Sequence, residues 1–418
     1  MLPLTTQKEI ILRNREFFLK KESLIPRNIN IKKILKTKQI TVITGIRRCG
    51  KSTLLKIIKN QIKEENIYYL NFNDPLLTAA TIEDIQHLFD TYFSMYPSTE
   101  KHIFLDEVQE IKGWHKFILQ LYEEKNKVII TGSNGNLLSK EIATYLTGRH
   151  EQIILYPFSF NEYLTLKKIS YEKNKATQAP LLRAFETYTN IGGFPQVIKD
   201  NNKEYLKEYY ESIIYRDVIV RNNVSYAKEI KELAHYIISN NTKMTSYTKL
   251  KTTINVKSTS TIKEYLDYIN NAFIILPLNK FDYSIKIQLR TSKKMYCIDT
   301  GMAQIIGFKF SENKGQILEN TVFIELKRRE HEIYYHKEKK ECDFVIYDKG
   351  KITQAIQVCY ELHEDNKKRE FEGLLEAMKK YKLKEGLLLT NDEEEELVLE
   401  GKKIHVLPVW KWLLSEGK

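Results

Sequence analysis

A chain of 418 residues and 49.4 kDa is longer than one hydrophobic core normally serves, so roughly two to four domains are expected. Hydrophobic residues at 42% and charged residues at 29% predict a globular, soluble chain rather than a disordered one. The formal net charge of +12 concentrates in two places, with ten Lys/Arg against three Glu over residues 1–40 and twelve against five acids over 226–296; this favours an anionic partner such as nucleic acid or a membrane surface, although a lysine-rich proteome gives the same excess.

The first 38 residues read as a charged helical segment interrupted near Pro26. QITVITG at 39–45 follows as a strand, then the glycine loop IRRCGKS, then the helical TLLKIIKNQI. IYYLNF at 67–72, HIFLDEV at 102–108, KVIITGS at 127–133 and EQIILYPF at 151–158 are further strand candidates, separated by the helical IEDIQHLFDTYF and WHKFILQLYEE. Strands alternating with helices predict an α/β core, residues 39–158, with a largely parallel sheet covered on both faces. Residues 159–225 read as mostly helical, broken by GGFP at 192–195, and residues 226–300 as two helices around a polar stretch, then β-like pieces containing KIQLRTSKK. A last α/β module, 301–418, takes ILENTVFIELKRR and NKKREFEGLLEAMKKY as helices and EIYYHK, ECDFVIY, QAIQVCY and EGLLLT as strands, with DEEEE at 392–396 as a solvated turn.

Cys49, Cys297, Cys342 and Cys359 form no CxxC pair, which points to a reducing compartment without a disulfide scaffold or thiolate zinc cluster. No apolar run is long enough to span a membrane and the opening MLPLTTQKEI lacks the form of a signal peptide, so a cytoplasmic protein with no integral membrane partner is expected. A peripheral membrane contact stays open.

Gly45-Ile46-Arg47-Arg48-Cys49-Gly50-Lys51-Ser52, with Thr53 next, matches GxxxxGK[ST] and sits between an apolar strand and a helix, the context that a phosphate-binding loop requires. Its backbone N–H groups and the helix N-terminus face phosphate, Lys51 reaches the β/γ phosphates and Ser52 ligates Mg2+. In HIFLDE four strand positions end in Asp106 and Glu107; Asp106 is assigned to Mg2+, directly or through water, and Glu107 to polarising the attacking water. The two motifs together predict a hydrolytic ATPase, with ATP and Mg2+ as cofactors, more than a passive binder.

GIRRCGKSTLL, FLDEVQ followed by Trp114, VIITGSN, LTGRHEQIILYPFSFNEYL, GGFP and the late LEN…FIEL and ECDFV segments together resemble the AAA-type fold ATPases found widely in archaea and bacteria. The resemblance covers nearly the whole chain. It implies a γ-phosphate-sensing polar residue at Ser133 or Asn134, with Asn134 chosen, and a charge-neutralising arginine at Arg149, acting in trans from a neighbouring subunit, in cis, or only as a structural ion pair. Tyr215-Arg216-Asp217 falls on a recurrent polar motif, where Arg216 is either a nucleotide contact from the helical lid or part of a surface or interdomain salt bridge.

In STSTIKEYLDYI, Ser258 or Ser260 caps a helix whose Ile262, Leu266 and Ile269 form a core-facing stripe. With the following β-like segment this looks like a winged helix-turn-helix domain, which the family resemblance also implies. Lys257, Lys263, Lys286, Arg290, Lys293 and Lys294 are its candidate nucleic-acid contacts; a protein partner or plain structural support suits the same surface. The C-terminal module resembles the restriction-endonuclease-like fold. That resemblance places metal ligands at Asp343 and Gln357, with Glu319 as a further one, while Cys359 stands where a lysine belongs. The expectation is a degenerate nuclease frame without robust cutting, with a weak metal-dependent nuclease as the alternative. The functional reading is an ATPase coupling nucleotide state to a DNA-binding module, or else a regulatory or defence switch that holds a protein partner.

Overall fold

The computed structural model describes residues 2–133, 135, 146, 148–171, 178–307 and 313–415, and these fall into two compact units, Met1–Leu155 and Tyr156–Lys418. Among the described residues no helix is long and apolar enough to cross a membrane.

The first unit is built on five strands, β1 (Ile40–Thr44), β2 (Ile67–Asn71), β3 (His102–Asp106), β4 (Lys127–Gly132) and β5 (His150–Ile154). They pair in the order β2-β3-β4-β1-β5, and every pairing is parallel. All five residues of β1 and of β3 are buried, as expected of strands covered on both faces. Between β1 and β2 runs α1 (Lys51–Lys59), between β2 and β3 α2 (Ile82–Met95), and between β3 and β4 α3 (Trp114–Glu123). The first helix of the chain, αN (Leu4–Leu19), belongs to this unit: Phe18 stacks on Tyr69 of β2 with ring centroids 4.0 Å apart, and the Asn14 amide bonds the Asp74 carboxylate at 2.9 Å.

The second unit opens with helices, among them α4 (Phe160–Lys167), α5 (Gln178–Ile191) and α6 (Pro195–Asp200). A three-stranded sheet follows, β6 (Met244–Thr245), β7 (Ile275–Leu278) and β8 (Lys293–Cys297), in the order β6-β8-β7. Three helices accompany it, α7 (Ala227–Ser239), α8 (Tyr247–Ile254) and α9 (Thr259–Asn271), the last capped by the Ser258 hydroxyl and burying Ile262, Leu266 and Ile269. Ile285–Arg290, expected as β-like, is a short helix, α10, with no buried side chain. Its apolar alternation faces solvent, with Ile285 71% and Leu289 61% exposed. The turn is set instead by Asp282, whose carboxylate accepts the Ser284 N–H at 2.8 Å and whose carbonyl accepts the Gln288 amide at 2.6 Å.

A six-stranded sheet ends the chain: β9 (Glu332–Lys337), β10 (Glu341–Asp348), β11 (Lys351–Val358), β12 (Glu385–Thr390), β13 (Glu395–Leu399) and β14 (Lys402–Pro408), ordered β13-β14-β12-β11-β10-β9. β11, β12 and β14 are parallel, and the other pairings are antiparallel. α11 (Lys314–Arg328) precedes β9 and α12 (Glu364–Lys380) joins β11 to β12. The acidic run expected as a turn continues into a strand, since Glu395 and Glu396 pair with Val406 and His405 of β14.

Candidate functional site

The glycine loop leaves the C-terminal end of β1 and enters α1. Gly45 has φ +146°, and a Cβ there would lie 2.2 Å from the Leu155 carbonyl oxygen; no side chain fits. Gly50, at φ +103°, precedes the first residue of α1, and Ile46 and Cys49 are buried beneath the loop. Arg47 is half-buried, and Arg48 and Thr53 are exposed. The loop thereby leads into the α1 N-terminus, where the helix adds about half a positive charge.

Lys51 is buried, with its ammonium 3.2 Å from the Gly45 carbonyl and 3.4 Å from the Glu107 carboxylate. Burial works against this charge, but Glu107, Cys49 and Asp106 hold the ammonium above its ordinary range. Asp106 ends β3 and takes hydrogen bonds from the hydroxyls of Ser52, Thr131 and Tyr69, the last at 3.2 Å. Burial, then the Glu107 charge, raises its carboxyl. Glu107 is the first residue beyond β3, in a left-handed backbone conformation at φ +56°. Burial pushes its carboxyl up, yet Lys51 and hydrogen bonds from the Gln109 amide and Ser133 outweigh this and hold it at about 2. The Gln109 amide lies 2.5 Å away and the Ser133 N–H 3.2 Å.

These residues fit a magnesium-bound nucleoside triphosphate: a loop with a glycine at each end, an ammonium, and a serine hydroxyl bonded to a carboxylate. Sequence reasoning missed Tyr69, Thr131 and Gln109 as members of the site. Gln109 sat in view inside FLDEVQ; Tyr69 and Thr131 come from neighbouring strands and carry no motif.

Asn134 lies outside the described residues. Arg149 sits at the opposite end of the sheet, where its carbonyl accepts the Ile40 N–H at 2.9 Å, and its guanidinium is 3.9 Å from Glu123 on an exposed surface. Arg216 is exposed; its neighbour Asp217 is the buried member of the motif, paired with Arg221 at 2.9 Å.

In the second unit, Glu319, Asp343, Gln357 and Cys359 line one cleft of about 710 Å³ together with Glu341, Glu370 and Arg369. Asp343 lies where the β9–β10 register shifts; its Oδ2 accepts the Val358 N–H at 3.0 Å, and its own N–H donates to Gln357 at 3.2 Å. The Gln357 amide in turn donates to Glu370 at 2.7 Å. Cys359 is buried, its thiol raised to about 12 by burial, and Asn366 donates to its sulfur at 3.6 Å.

Lys293 and Lys294, expected to meet phosphates, do not face solvent. Lys293 is 8% exposed with its ammonium on Asn279. Lys294 is 3% exposed and bonded to the cleft carboxylates. Both lie in β8 with all five residues buried, which removes them from any binding surface. Lys257, Lys263, Lys286 and Arg290 are exposed, and Lys263 reaches over the Tyr247 ring at 5.2 Å.

Residues 37–164 match the AAA domain family, and residues 182–312 and 314–412 match two families described as domains of unknown function. The Aeropyrum pernix ORC2 protein in its ADP form aligns at 14% identity over 74% of this chain and 99% of that one, with a TM-score of 0.36. The replication initiator DnaA bound to AMPPCP and single-stranded DNA aligns at 15% over 59% and 90%, with a TM-score of 0.31. Two relatives match across nearly their whole length: the uncharacterized protein MJ1544 of Methanocaldococcus jannaschii, 38% identical over 98% of this chain and 95% of its own, and a protein of Haemophilus influenzae, 33% identical over 90% and 94%. The chain belongs to the same archaeal and bacterial family as these two proteins, and its residues 37–164 carry an AAA-type ATP-binding, ATP-hydrolysing domain.

Proposed function

We propose that the protein is a Mg2+-dependent ATPase whose nucleotide state governs the grip of a winged-helix module on DNA. The observation that carries the reading is the convergence of Lys51, Ser52, Asp106 and Glu107 at the C-terminal ends of β1 and β3. Ser52 and Asp106 would hold Mg2+, which supplies charge neutralisation on the phosphates. Lys51 binds and orients the β/γ phosphates, and Glu107, ionised and fixed by Gln109 and Ser133, polarises water for attack on the terminal phosphorus. Ser133 touches Glu107, and the γ-phosphate sensor is assigned to the next residue in the sequence, Asn134.

The order helix, strand, two helices, two strands over 227–297, with β8 between β6 and β7, supports the winged-helix reading. Lys257 and Lys263 then lie near the second of its paired helices, and Lys286 and Arg290 on the connection between β7 and β8, where phosphate contacts are made. One observation favours a protein partner instead: Tyr283, Ile285, Ile287 and Leu289, beside those two cations, are all exposed. The order α11-β9-β10-β11-α12-β12 supports a restriction-endonuclease-like frame.

ATP turnover measured with and without duplex, single-stranded and branched DNA, together with DNA affinity over a range of salt, tests the reading. Lys51→Ala should lose ATP binding, and Glu107→Gln should bind ATP without turning it over. DNA should stimulate the wild type, with affinity falling steeply as salt rises. Unchanged turnover in Glu107→Gln would remove its assignment; DNA binding that is weak and independent of salt would transfer the module to a protein partner.

A further inference from the structure

The carboxylates of the C-terminal cleft already surround a cation, and it comes from another sheet. β8 presents alternate residues to the same side, so Lys294 and Tyr296 both reach Glu319 of α11, at 2.9 and 2.7 Å. The Lys294 ammonium is also 2.8 Å from Asp343 Oδ1 and 2.8 Å from Glu341 Oε1, both on β10. An ammonium has three N–H donors and no acceptor. Here each has a carboxylate, and none is left for water or for a phosphate oxygen.

The electrostatics agree with that count. Burial pushes the Glu319 carboxyl up to about 7 despite the opposing pull of Lys294. Burial also disfavours the Lys294 charge, but Asp343 and then Glu319 hold it well above its ordinary range. Three acids, Asp343 buried and Glu319 and Glu341 half-buried, would repel one another and take up protons if they converged without a cation; one ammonium resolves this with directional bonds. The outer carboxylate is satisfied as well, since Glu370 pairs with Arg369 at 2.5 Å and accepts from Gln357.

We propose that Lys294 is the resident cation of this cluster, its ammonium filling the position at which Glu319, Glu341 and Asp343 would otherwise hold a divalent metal ion. The nuclease-like frame is then closed to metal from within, and β8 is fastened to β10 and α11 by the same contact. Only the comparison with a nuclease rests on the fold reading given above; the ammonium and its three carboxylates stand without it. Lys294 does not replace the lysine missing at Cys359, because its protons are spent on the carboxylates.

The test uses the full chain without nucleotide, in an Asp106→Asn background that silences metal binding at the phosphate loop. Mn2+ binding is followed by electron paramagnetic resonance and by thermal unfolding. The wild-type cluster should bind no Mn2+ that Asp343→Asn removes, and EDTA should leave its unfolding temperature unchanged. Lys294→Ala should unfold several degrees lower, regain that loss in millimolar Mn2+, and bind Mn2+ about tenfold or more tighter than its parent; adding Asp343→Asn should abolish the gain. Because three facing carboxylates can prevent Lys294→Ala from folding, Lys294→Met, which keeps the buried stem, provides the second variant. Asp343-dependent Mn2+ binding by the chain with Lys294 intact would overturn the proposal, as would Mn2+-dependent DNA cleavage lost in Asp343→Asn or folded Lys294 variants that gain no Mn2+ affinity. Loss of ATPase activity or DNA binding alters none of these readouts, so failure of the broader functional reading is distinguishable.

Discussion

Glu107 occupies a backbone conformation that costs a non-glycine residue on the order of 1 kcal/mol, and its surroundings hold it there: its N–H donates to the Thr131 hydroxyl at 3.0 Å, and its carboxylate faces Lys51 at 3.4 Å. The pair makes stability depend on pH in a definite direction. The folded carboxyl is lowered from 4.5 to about 2, so its stabilisation is fully present above 4.5 and lost as pH falls toward 2, with an upper magnitude of about 3 kcal/mol. Replacing Glu107 with Gln removes the term and leaves the Lys51 ammonium buried without its closest carboxylate. Urea unfolding of the nucleotide-free protein should therefore find Glu107→Gln less stable than the wild type near neutral pH by about 1–3 kcal/mol, with the gap narrowing below about 4.5. A gap that is constant across this range would mean that Lys51 and Glu107 are not an ion pair in solution.

The first glycine of GGFP, Gly192, answers to an element more than 100 residues later. Asp299, at the start of the helix Thr300–Ile306, caps that helix through the Met302 N–H at 2.8 Å and accepts the Gly193 N–H at 2.6 Å. Gly192 has φ +83°, and a Cβ on it would fall 2.2 Å from Asp299 Oδ1. Gly192→Ala combines left-handed strain with overpacking against a fixed carboxylate, so it should destabilise the second unit by about 2–4 kcal/mol, measured by chemical denaturation; a loss under about 0.5 kcal/mol would show that the corner relaxes freely. The loop at 45–52, the acids at 106 and 107 and the strands that present them were legible because each is a local pattern: an apolar run, a glycine spacing, a pair of adjacent carboxylates. Glu319, Asp343, Gln357 and Cys359 were also placed on one cleft, because neighbouring elements carry them. Lys294 was not legible. Forty-nine residues separate it from Asp343, and in KIQLRTSKK it resembles the exposed cations around it; only the pairing of β8 between β6 and β7 turns it inward. α10 misled for the opposite reason, since its alternating Ile285, Ile287 and Leu289 imitate a half-buried strand while no sheet edge receives them.

At the scale of the whole molecule the open question is how many chains make one ATPase site, and the parallel sheet constrains the answer. Lys51 follows the C-terminal end of β1, whereas Arg149 is bonded through its carbonyl to Ile40 at the N-terminal end. Five strand residues span about 16 Å, more than an arginine side chain covers, so Arg149 does not reach the phosphate loop of its own chain. Its observed partner, Glu123 at 3.9 Å with both side chains exposed, is a surface pair of little energetic weight, which leaves the guanidinium available to a neighbouring subunit. If a second copy uses it, Arg149→Ala should bind ATP normally and lose turnover by about 100-fold or more. Mixing Arg149→Ala with Lys51→Ala, each inactive alone, should then recover part of the activity, because some junctions pair an intact phosphate loop with an intact arginine. Recovery should disappear on dilution below the dissociation constant of the oligomer. Co-purified mixed oligomers that remain inactive would confine Arg149 to its pairing with Glu123 and leave each chain to complete its site with its own residues.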